Sequence, residues 1–428
     1  MKINLGGLLG RRKPAHPPLR LGFLPTTDAA VLLVAQARGF FREQGLEVSL
    51  ARQTSWQRSR DKLASGELQA AHLPGTVPLC ASLGIGGPVQ ALRTAFVLSL
   101  GGSSFGLHAR WLQALQDAGL GQQRVTPAQS LQALAVLVAQ RRQAGMPRLR
   151  FAVSDRYSNG SYDLRYCLAS VGIDPQEHVE LVAITPGRVL RSLRDGNYDG
   201  AWLDEPWGSL AAAQGLVSLM FSKQAFWNHS LGKVLAVQDD FLHEHPRTHR
   251  ALLRALMQAA DWLENHRQDA LPLLSARDAL NVPVQALEVL TKGIDTLAGA
   301  QPRDLVFQFG AANFPWYSQA VWYLGQIIRW GDFSEVLDFK RAAQDVYLPK
   351  LYREAARELN VAYPNIGYKN EGEHDQDWEL DEASHKLLMG ADLFFDGRSY
   401  RPRQTMKYLN GLDISHIRAP LDAMWAIR

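Results

Sequence analysis

Two polar turns near the start of the chain carry groups that could bind a small ligand. The turns at 25–27 (PTT) and 53–56 (QTSW) each follow a β-rich apolar run and precede a segment of helical periodicity. Thr27 or Asp28 is placed to cap the first helix, and Ser55 to cap the second. Because free backbone N–H groups at helix starts suit a small anion, the sequence predicts ligand binding at these turns.

A third candidate is the break at 101–104 (GGSS), which directly follows the apolar run 89–100. Glycine in a strand pattern often marks close approach of the backbone to a ligand. The break therefore adds another strand end at which polar groups could meet a ligand.

Residue types that support catalysis or metal binding are few. Cys80 and Cys167 stand alone in apolar segments, which indicates buried thiols and excludes a disulfide framework. His374, Asp375 and Asp377 could suggest a metal site, but such tight clustering without other partners is typical of a solvated loop. We therefore expect a protein that is not an enzyme and holds no cofactor.

The elements that position the polar turns form a βαβαβ unit. Strands predicted at 19–24, 46–50 and 70–73 alternate with two helical segments, the first of which should continue to Gly45. In an open parallel sheet the ligand crevice lies beyond the carboxyl ends of the strands. Both polar turns should therefore face one crevice.

The alternation of strands and helices continues towards the C-terminus. We predict strands at 149–154, 179–184, 200–203 and 233–238, and helices at 126–141, 161–170, 188–193, 248–265 and 283–297. An aromatic run at 313–331 has helical spacing, which favours core packing over a ligand platform. The pattern predicts an N-terminal tail (1–18), a lobe I (19–107 plus 216–428, with a C-terminal helical extension) and a lobe II (108–215), both of α/β type.

Composition supports two lobes and argues against a nucleic-acid-binding protein. A chain of 428 residues, 46% hydrophobic and 21% charged, exceeds the length that one core usually serves. The formal net charge is +4, from 46 basic and 42 acidic residues. This balance lacks a dense basic face, so no direct contact with nucleic acid is expected.

Five ordered segments together resemble one known family. They are GFLPTTDAAVLLVAQARGFFREQGLEV with SWQRSRDKLASGELQAAHL at 22–73, SNGSYDLRYCLASVGIDP at 158–175, DGNYDGAWLDEPWGS at 195–209, FWNHSLGKVLAV at 226–237 and LFFDGRSYRP at 393–402. The chain resembles the nitrate/bicarbonate-type (NrtA/CmpA-like, NitT/TauT) solute-binding proteins of ABC transporters. The resemblance implies a type II periplasmic-binding-protein-like fold, in which two α/β lobes close like a clam on one small ligand.

The same resemblance implies five ligand-binding positions, namely Trp56, Ser103, Tyr162, Asp204 and Asn228. Three of them depart from the family pattern. Tyr162 stands where a histidine commonly precedes Asp-Leu, Asp204 where a small residue precedes Glu-Pro-Trp, and Asn228 where a basic residue can follow the tryptophan. A carboxylate facing an anion is repulsive unless it is protonated or paired. A neutral or amine-bearing ligand, stacked on Trp56 and hydrogen-bonded by the other four, fits these side chains better than nitrate.

Alternative roles exist for two of these residues. Trp56 could be a core anchor, since large aromatic residues at a helix start are often buried. Asp204 could form a salt bridge with an arginine such as Arg156 or Arg188 and so contribute no charge to a ligand site.

The start of the chain predicts its location. Arg11, Arg12 and Lys13 follow the short apolar stretch 5–9, whereas a secretory signal places basic residues before a longer apolar region. We therefore expect a cytoplasmic protein, or a periplasmic one if the true start lies upstream.

Three functions follow from the resemblance. A cytoplasmic member resembles the nitrate/nitrite sensor NasS, which implies a ligand sensor that holds an RNA-binding antiterminator protein until nitrate, nitrite or another small polar molecule binds. The alternative is the substrate-binding subunit of an ABC importer, with a permease and an ATPase as partners. An enzyme like the thiamin-pyrimidine synthases is the third reading, but it implies a cysteine- and histidine-rich iron site that the isolated Cys80 and Cys167 do not match.

Overall fold

The computed structural model describes residues 16–121, 124–301 and 303–424. Most of the predicted N-terminal tail, residues 1–15, lies outside the described residues. Among the residues described, no helix combines the length and the apolar character needed to cross a membrane.

The strands of the described ranges form two large sheets and one hairpin. The strands are β1 (Leu19–Phe23), β2 (Val48–Arg52), β3 (Ala70–Pro74), β4 (Leu92–Gly101), β5 (Ser103–His108), β6 (Leu149–Val153), β7 (Val179–Ala183), β8 (Gly200–Asp204), β9 (Val217–Ser222), β10 (Leu231–Gln238), β11 (Leu305–Val306), β12 (Trp378–Glu379) and β13 (Leu388–Met389). The first sheet has the order β11-β4-β10-β3-β1-β2, the second β7-β6-β8-β5-β9, and β12 pairs with β13.

Helices surround both sheets. They are α1 (Ala30–Arg38), α2 (Phe40–Glu43), α3 (Trp56–Ala64), α4 (Thr76–Ser82), α5 (Leu112–Asp117), α6 (Pro127–Gln143), α7 (Asn159–Ser170), α8 (Pro186–Arg194), α9 (Trp207–Ala213), α10 (Lys223–Phe226), α11 (Asp239–Glu244), α12 (Pro246–Asn265), α13 (Arg267–Ser275), α14 (Val289–Lys292), α15 (Tyr317–Arg329), α16 (Phe339–Val346), α17 (Pro349–Glu358) and α18 (Thr405–Asn410). The described residues also include six short 3₁₀ turns.

The chain passes from the first sheet to the second at Gly101 and Gly102 and returns after β9. Both glycines have positive φ, and a Cβ on Gly101 would lie 2.3 Å from the Asp304 carbonyl oxygen. Only glycine fits this crossing without strain. Because β5 and β9 both belong to the second sheet, the change of sheet lies a few residues outside the predicted lobe boundaries at 108 and 215, which stay a prediction.

The predicted side-chain cap of the first helix is wrong. Thr27 and Asp28 lie in a 3₁₀ turn without a side-chain cap bond, and α1 begins only at Ala30. The helix also ends before Gly45, because Gly39 adopts a φ of 84° and divides it into α1 and α2. Asp28 has another partner, described below.

Other predicted elements are confirmed, with one exception. The Ser55 side chain accepts a hydrogen bond from the Arg58 N–H at the start of α3, and Thr126 forms a capping box at the start of α6. The long helix predicted at 283–297 is wrong, because only a 3₁₀ turn and the four-residue α14 form there before Gly293.

The aromatic run at 313–331 is core, as predicted. Trp322, Tyr323 and Trp330 are each at most 2% exposed. Trp322 packs 4.9 Å from Trp227, and Tyr323 donates a hydrogen bond to Asp163 of α7 at 2.9 Å. The C-terminal segment therefore packs directly on the second sheet's helices.

Candidate functional site

The carboxyl ends of strands from both sheets meet at the interlobe cleft, the space between the two sheets. Asp28 follows β1, His72 lies in β3, and Lys233 lies in β10 opposite the last residue of β3. Asp204 is the last residue of β8 in the second sheet. We call Asp28, His72, Asp204 and Lys233 the cleft charge cluster.

Lys233 joins the two lobes through this cluster. Its Nζ lies 2.9 Å from Asp28 Oδ2 and 2.9 Å from Asp204 Oδ1. Asp28 Oδ1 in turn lies 3.0 Å from His72 Nε2 and accepts the Thr26 hydroxyl at 2.5 Å. The lysine, buried to 5% exposure, therefore has one carboxylate from each lobe.

Burial and pairing together set the protonation of the cluster. Burial alone would raise the pKa of Asp28, but Lys233 and His72 outweigh it and hold that pKa well below its usual value. Burial alone would lower the pKa of Lys233, but the carboxylates of Asp204 and Asp28 raise it above its usual value. The charged forms of this lysine and of Asp28 are thus favoured, as pairing in a dry site requires.

Trp56 covers one side of the cluster. Its ring lies 5.5 Å below Lys233 Nζ and meets the His72 ring edge-on at 5.0 Å. The indole is 1% exposed and packs with Leu24 and Leu63 as well. Trp56 is therefore both a core residue and the apolar wall of the charged site.

Backbone contacts between the lobes flank the cluster. The Thr27 N–H donates to the Glu205 carbonyl at 2.7 Å, and Trp207 Nε1 donates to the Pro25 carbonyl at 3.1 Å. Burial raises the pKa of the Glu205 side chain to about 7, although Ser209 hydrogen bonds oppose the shift. Through these hydrogen bonds the two lobes are in direct contact across the cleft.

Ser103 and Asp204, two other predicted positions, each have a partner within the protein. Ser103 lies opposite Asp204 in the strand register, but its hydroxyl accepts the Trp202 indole N–H at 2.9 Å. Asp204 is paired as the alternative reading anticipated, but with a lysine and not with an arginine. Arg156 lies instead 3.4 Å from Asp332.

The structure does not bring Tyr162 and Asn228 into the cleft charge cluster. The Tyr162 hydroxyl donates to Asp332 Oδ2 at 3.2 Å, and its ring is fully buried in α7. The Asn228 side chain donates to the Gln224 carbonyl at 2.7 Å. Both side chains therefore hold segments around the second sheet, and their role in ligand binding stays a prediction.

Three members of the cleft charge cluster were missed from the sequence. Asp28 was read as a helix cap, and His72 and Lys233 lie inside segments that read as ordinary strands. A signal was available, because Lys233 stands among apolar residues in LGKVLAV, and a buried lysine requires a partner of opposite charge.

The space on the second-lobe side of Asp204 is small. A cavity of about 10 Å³ borders Asp204, Trp202 and Trp207, which is enough for at most one water molecule. Outside it, a groove of about 770 Å³ is lined from the first lobe by Thr54 and Arg58 and from the second by Arg188. The groove leads towards the touching lobes and is the open part of the cleft.

In the described part of the chain, no group of three or more His, Cys, Asp or Glu side chains could hold a metal ion. Cys80 and Cys167 are free and buried, as predicted.

Comparisons with known proteins identify the family. The model of the NMT1-like family matches residues 12–273. The bicarbonate-binding protein CmpA of Synechococcus elongatus is 28% identical over 419 residues, covering 92% of this chain and 86% of CmpA. The nitrate/nitrite binding protein NrtA of Synechocystis is 25% identical over 427 residues, covering 96% of this chain and 88% of NrtA.

Two further matches concern length and fold. The nitrate import ATP-binding protein NrtC of Synechocystis is 30% identical over 409 residues, and the chain spans about half of that relative, 55%. The crystal structure of the periplasmic nitrate-binding protein NrtA from Synechocystis superposes with a TM-score of 0.80 at 22% identity, covering 94% of this chain and all of NrtA. The two-lobed periplasmic-binding-protein fold is thereby confirmed, and the chain belongs to the NMT1-like family, as a homologue of the nitrate- and bicarbonate-binding proteins NrtA and CmpA.

Proposed function

We propose that this solute-binding homologue is a ligand sensor whose two lobes close over a small polar molecule at the cleft charge cluster. The observation that carries the proposal is the buried lysine, Lys233, held at 2.9 Å by one carboxylate of each lobe. A ligand that changes this pairing changes the relation between the lobes.

The charges of the cluster favour a ligand with hydrogen-bond donors. Asp28 and Asp204 supply two carboxylates, which face the ammonium of Lys233 and the imidazole of His72. Asp204 Oδ2 is buried and accepts no hydrogen bond from the described residues. An amine, amide or urea group satisfies such an oxygen, whereas free nitrate adds a third negative charge.

A sensor requires two arrangements that a ligand distinguishes. The ligand shifts the equilibrium between open and closed lobes by its different affinity for the two states. We propose that this change of shape controls a regulatory partner, an RNA-binding antiterminator protein, and that the protein therefore acts in the cytoplasm.

A second candidate function is the substrate-binding subunit of an ABC importer. It is favoured by the relatives, since NrtC is named a nitrate import ATP-binding protein and CmpA a bicarbonate-binding protein. In that case the partners are a permease and an ATPase, and the protein acts outside the cytoplasmic membrane.

A thermal-shift panel tests ligand binding. The purified chain is melted with nitrate, nitrite, bicarbonate, cyanate, urea, small amides and small amines, each at several millimolar. A true ligand at 100 times its dissociation constant adds about 2.7 kcal/mol to the free energy of unfolding. We expect stabilisation by donor-bearing members of the panel; stabilisation by nitrate or bicarbonate alone would overturn the proposed ligand class.

Location separates the two functions. The full-length gene, with its native upstream region, is fused at its 3′ end to alkaline phosphatase, an enzyme that is active only after export. An inactive fusion is expected for the sensor, and an active fusion would assign the protein to the importer class.

A further inference from the structure

Lys233 pairs with two carboxylates, and the second of them comes from the other lobe. Asp28 belongs to the same lobe as the lysine, but Asp204 belongs to the other lobe. Lys233 is thus a buried ammonium that the first lobe presents to the cleft, and Asp204 is the carboxylate that meets it from the second lobe.

The Asp204 carboxylate has the chemistry of a small oxyanion. Its Oδ1 lies 2.9 Å from Lys233 Nζ, the distance of a charge-assisted hydrogen bond. Asp204 is 6% exposed and Lys233 5%, so the pair leaves no open surface for a second oxyanion. The cavity of about 10 Å³ on the second-lobe side of Asp204 holds at most one water molecule. A planar anion of nitrate or bicarbonate size that paired with this ammonium across the cleft would need the position that the carboxylate fills.

We propose that Asp204 is a tethered anion that occupies the oxyanion position on Lys233, raises the share of closed molecules in the absence of ligand, and excludes nitrate and bicarbonate from that position. This inference rests on the proposed function in taking the cleft charge cluster as the ligand site. Asp204 thereby determines specificity, since it makes the site selective for ligands that pair with a carboxylate.

Tethering gives the carboxylate its advantage over a free anion. A group attached to the chain meets its partner at a millimolar or higher effective concentration and loses no translational freedom on binding. A free anion entering beside it would share one ammonium with two carboxylates and be repelled by both. Nitrate at physiological concentrations therefore does not displace Asp204.

The surrounding contacts keep the carboxylate in place. The Asp204 backbone is fixed in β8 by pairing with Ser103 in β5. The next residue, Glu205, accepts the Thr27 N–H from the first lobe. The anion is thus presented by a rigid strand end at the point where the lobes touch.

The test removes the charge at position 204, once with the shape of the side chain kept and once with a shorter side chain. Asp204→Asn and Asp204→Ser are compared with the wild type and with Asp195→Asn, an exposed aspartate of the same lobe whose side chain is 52% accessible. Nitrate and bicarbonate are titrated calorimetrically, and the radius of gyration of the ligand-free proteins is measured by X-ray scattering. Circular dichroism establishes that each variant is folded. Asp204→Ser provides a second measurement for the case in which the side-chain amide of Asp204→Asn donates a hydrogen bond to Asp28.

We expect at least a tenfold gain in nitrate or bicarbonate affinity in both Asp204 variants, and none in Asp195→Asn. The ligand-free Asp204 variants should also have a larger radius of gyration, which the anion restores towards the wild-type value. Equal, measurable anion affinity in wild type and folded variants, or no gain in either variant, would overturn the tethered anion.

The outcome is distinguishable from a failure of the proposed function. If no panel ligand stabilises the wild type but Asp204→Asn gains nitrate binding, the tethered anion stands and the donor-bearing ligand class falls. If an amine stabilises the wild type but neither variant gains anion affinity, the ligand class stands and the tethered anion falls.

Discussion

At the scale of single residues, the ligand site is defined by which charged side chains pair in the cleft. From the sequence, Asp204 was recognised as a departure from family pattern, and a salt bridge was one of its two readings. The identity of that partner was not predictable, because Lys233 lies 29 residues away in another sheet. Long-range pairing of buried charges follows from the assembled fold and not from local spacing.

Trp56 provides the first prediction at this scale. Trp56→Ala should lower the free energy of unfolding by about 3–5 kcal/mol, because a fully buried indole is removed from a packed core. Urea denaturation measures the change. Trp262→Ala, at a half-buried position stacked on His266, serves as the matched control and should cost less than half as much. An equal loss of unfolding free energy in the two variants would show that Trp56 stabilises the fold no more than a half-buried tryptophan does.

Glu205 provides a prediction about pH. Burial raises the pKa of this carboxyl from 4.5 to about 7, so the folded state binds a proton that the unfolded state releases between these values. The free energy of unfolding should therefore fall as pH rises from about 4.5 to about 7, by up to roughly 3 kcal/mol from this group.

Glu205→Gln should remove this part of the pH dependence. The comparison is urea denaturation of the wild type and of this variant from pH 4.5 to pH 8, with Glu47→Gln, an exposed glutamate, as the control. A wild-type slope that is unchanged in Glu205→Gln would assign the pH dependence to another buried acid, of which Glu371 is the nearest in character.

At the scale of elements, local signals predicted most helices and strands of the two lobes. Caps and periodicity located α3 and α6, and alternation located β6 and β8 within one or two residues. The errors have local causes: Gly39 adopts a left-handed conformation in the middle of an apolar helical pattern. Asp28, read as a cap, is drawn to Lys233 by a contact that only the tertiary fold creates.

The Ser55 cap gives a prediction for α3, the helix that carries Trp56. Ser55→Ala should lower the free energy of unfolding by about 1 kcal/mol, because the Arg58 N–H loses its side-chain acceptor. Ser65→Ala, at the other end of the helix, should change it by less than about 0.5 kcal/mol. Thermal denaturation of both variants makes the comparison, and equal effects would contradict a capping role.

At the scale of the whole molecule, the fold and family followed from ordered sequence matches, whereas the contacts that hold the lobes did not. The C-terminal segment was predicted as an extension of the first lobe, yet Arg165 of α7 pairs with Asp332 at 2.7 Å. Tyr166 of the same helix donates to Asp396 at 2.8 Å. Segments far apart in sequence thus tie the second sheet's helices to the C-terminus, and no local pattern encodes such ties.

The central claim is that the cleft charge cluster binds the ligand. Its most direct test is calorimetric titration of the best ligand from the thermal-shift panel into the wild type, Asp204→Asn and Asp195→Asn. A unit charge at about 4 Å and an effective dielectric of about 20 contributes roughly 4 kcal/mol, so a tenfold effect, about 1.4 kcal/mol, is a conservative expectation even after screening. We predict at least tenfold weaker binding of a donor-bearing ligand to Asp204→Asn and unchanged binding to Asp195→Asn; an unchanged affinity in Asp204→Asn would contradict the assignment of this cluster as the ligand site.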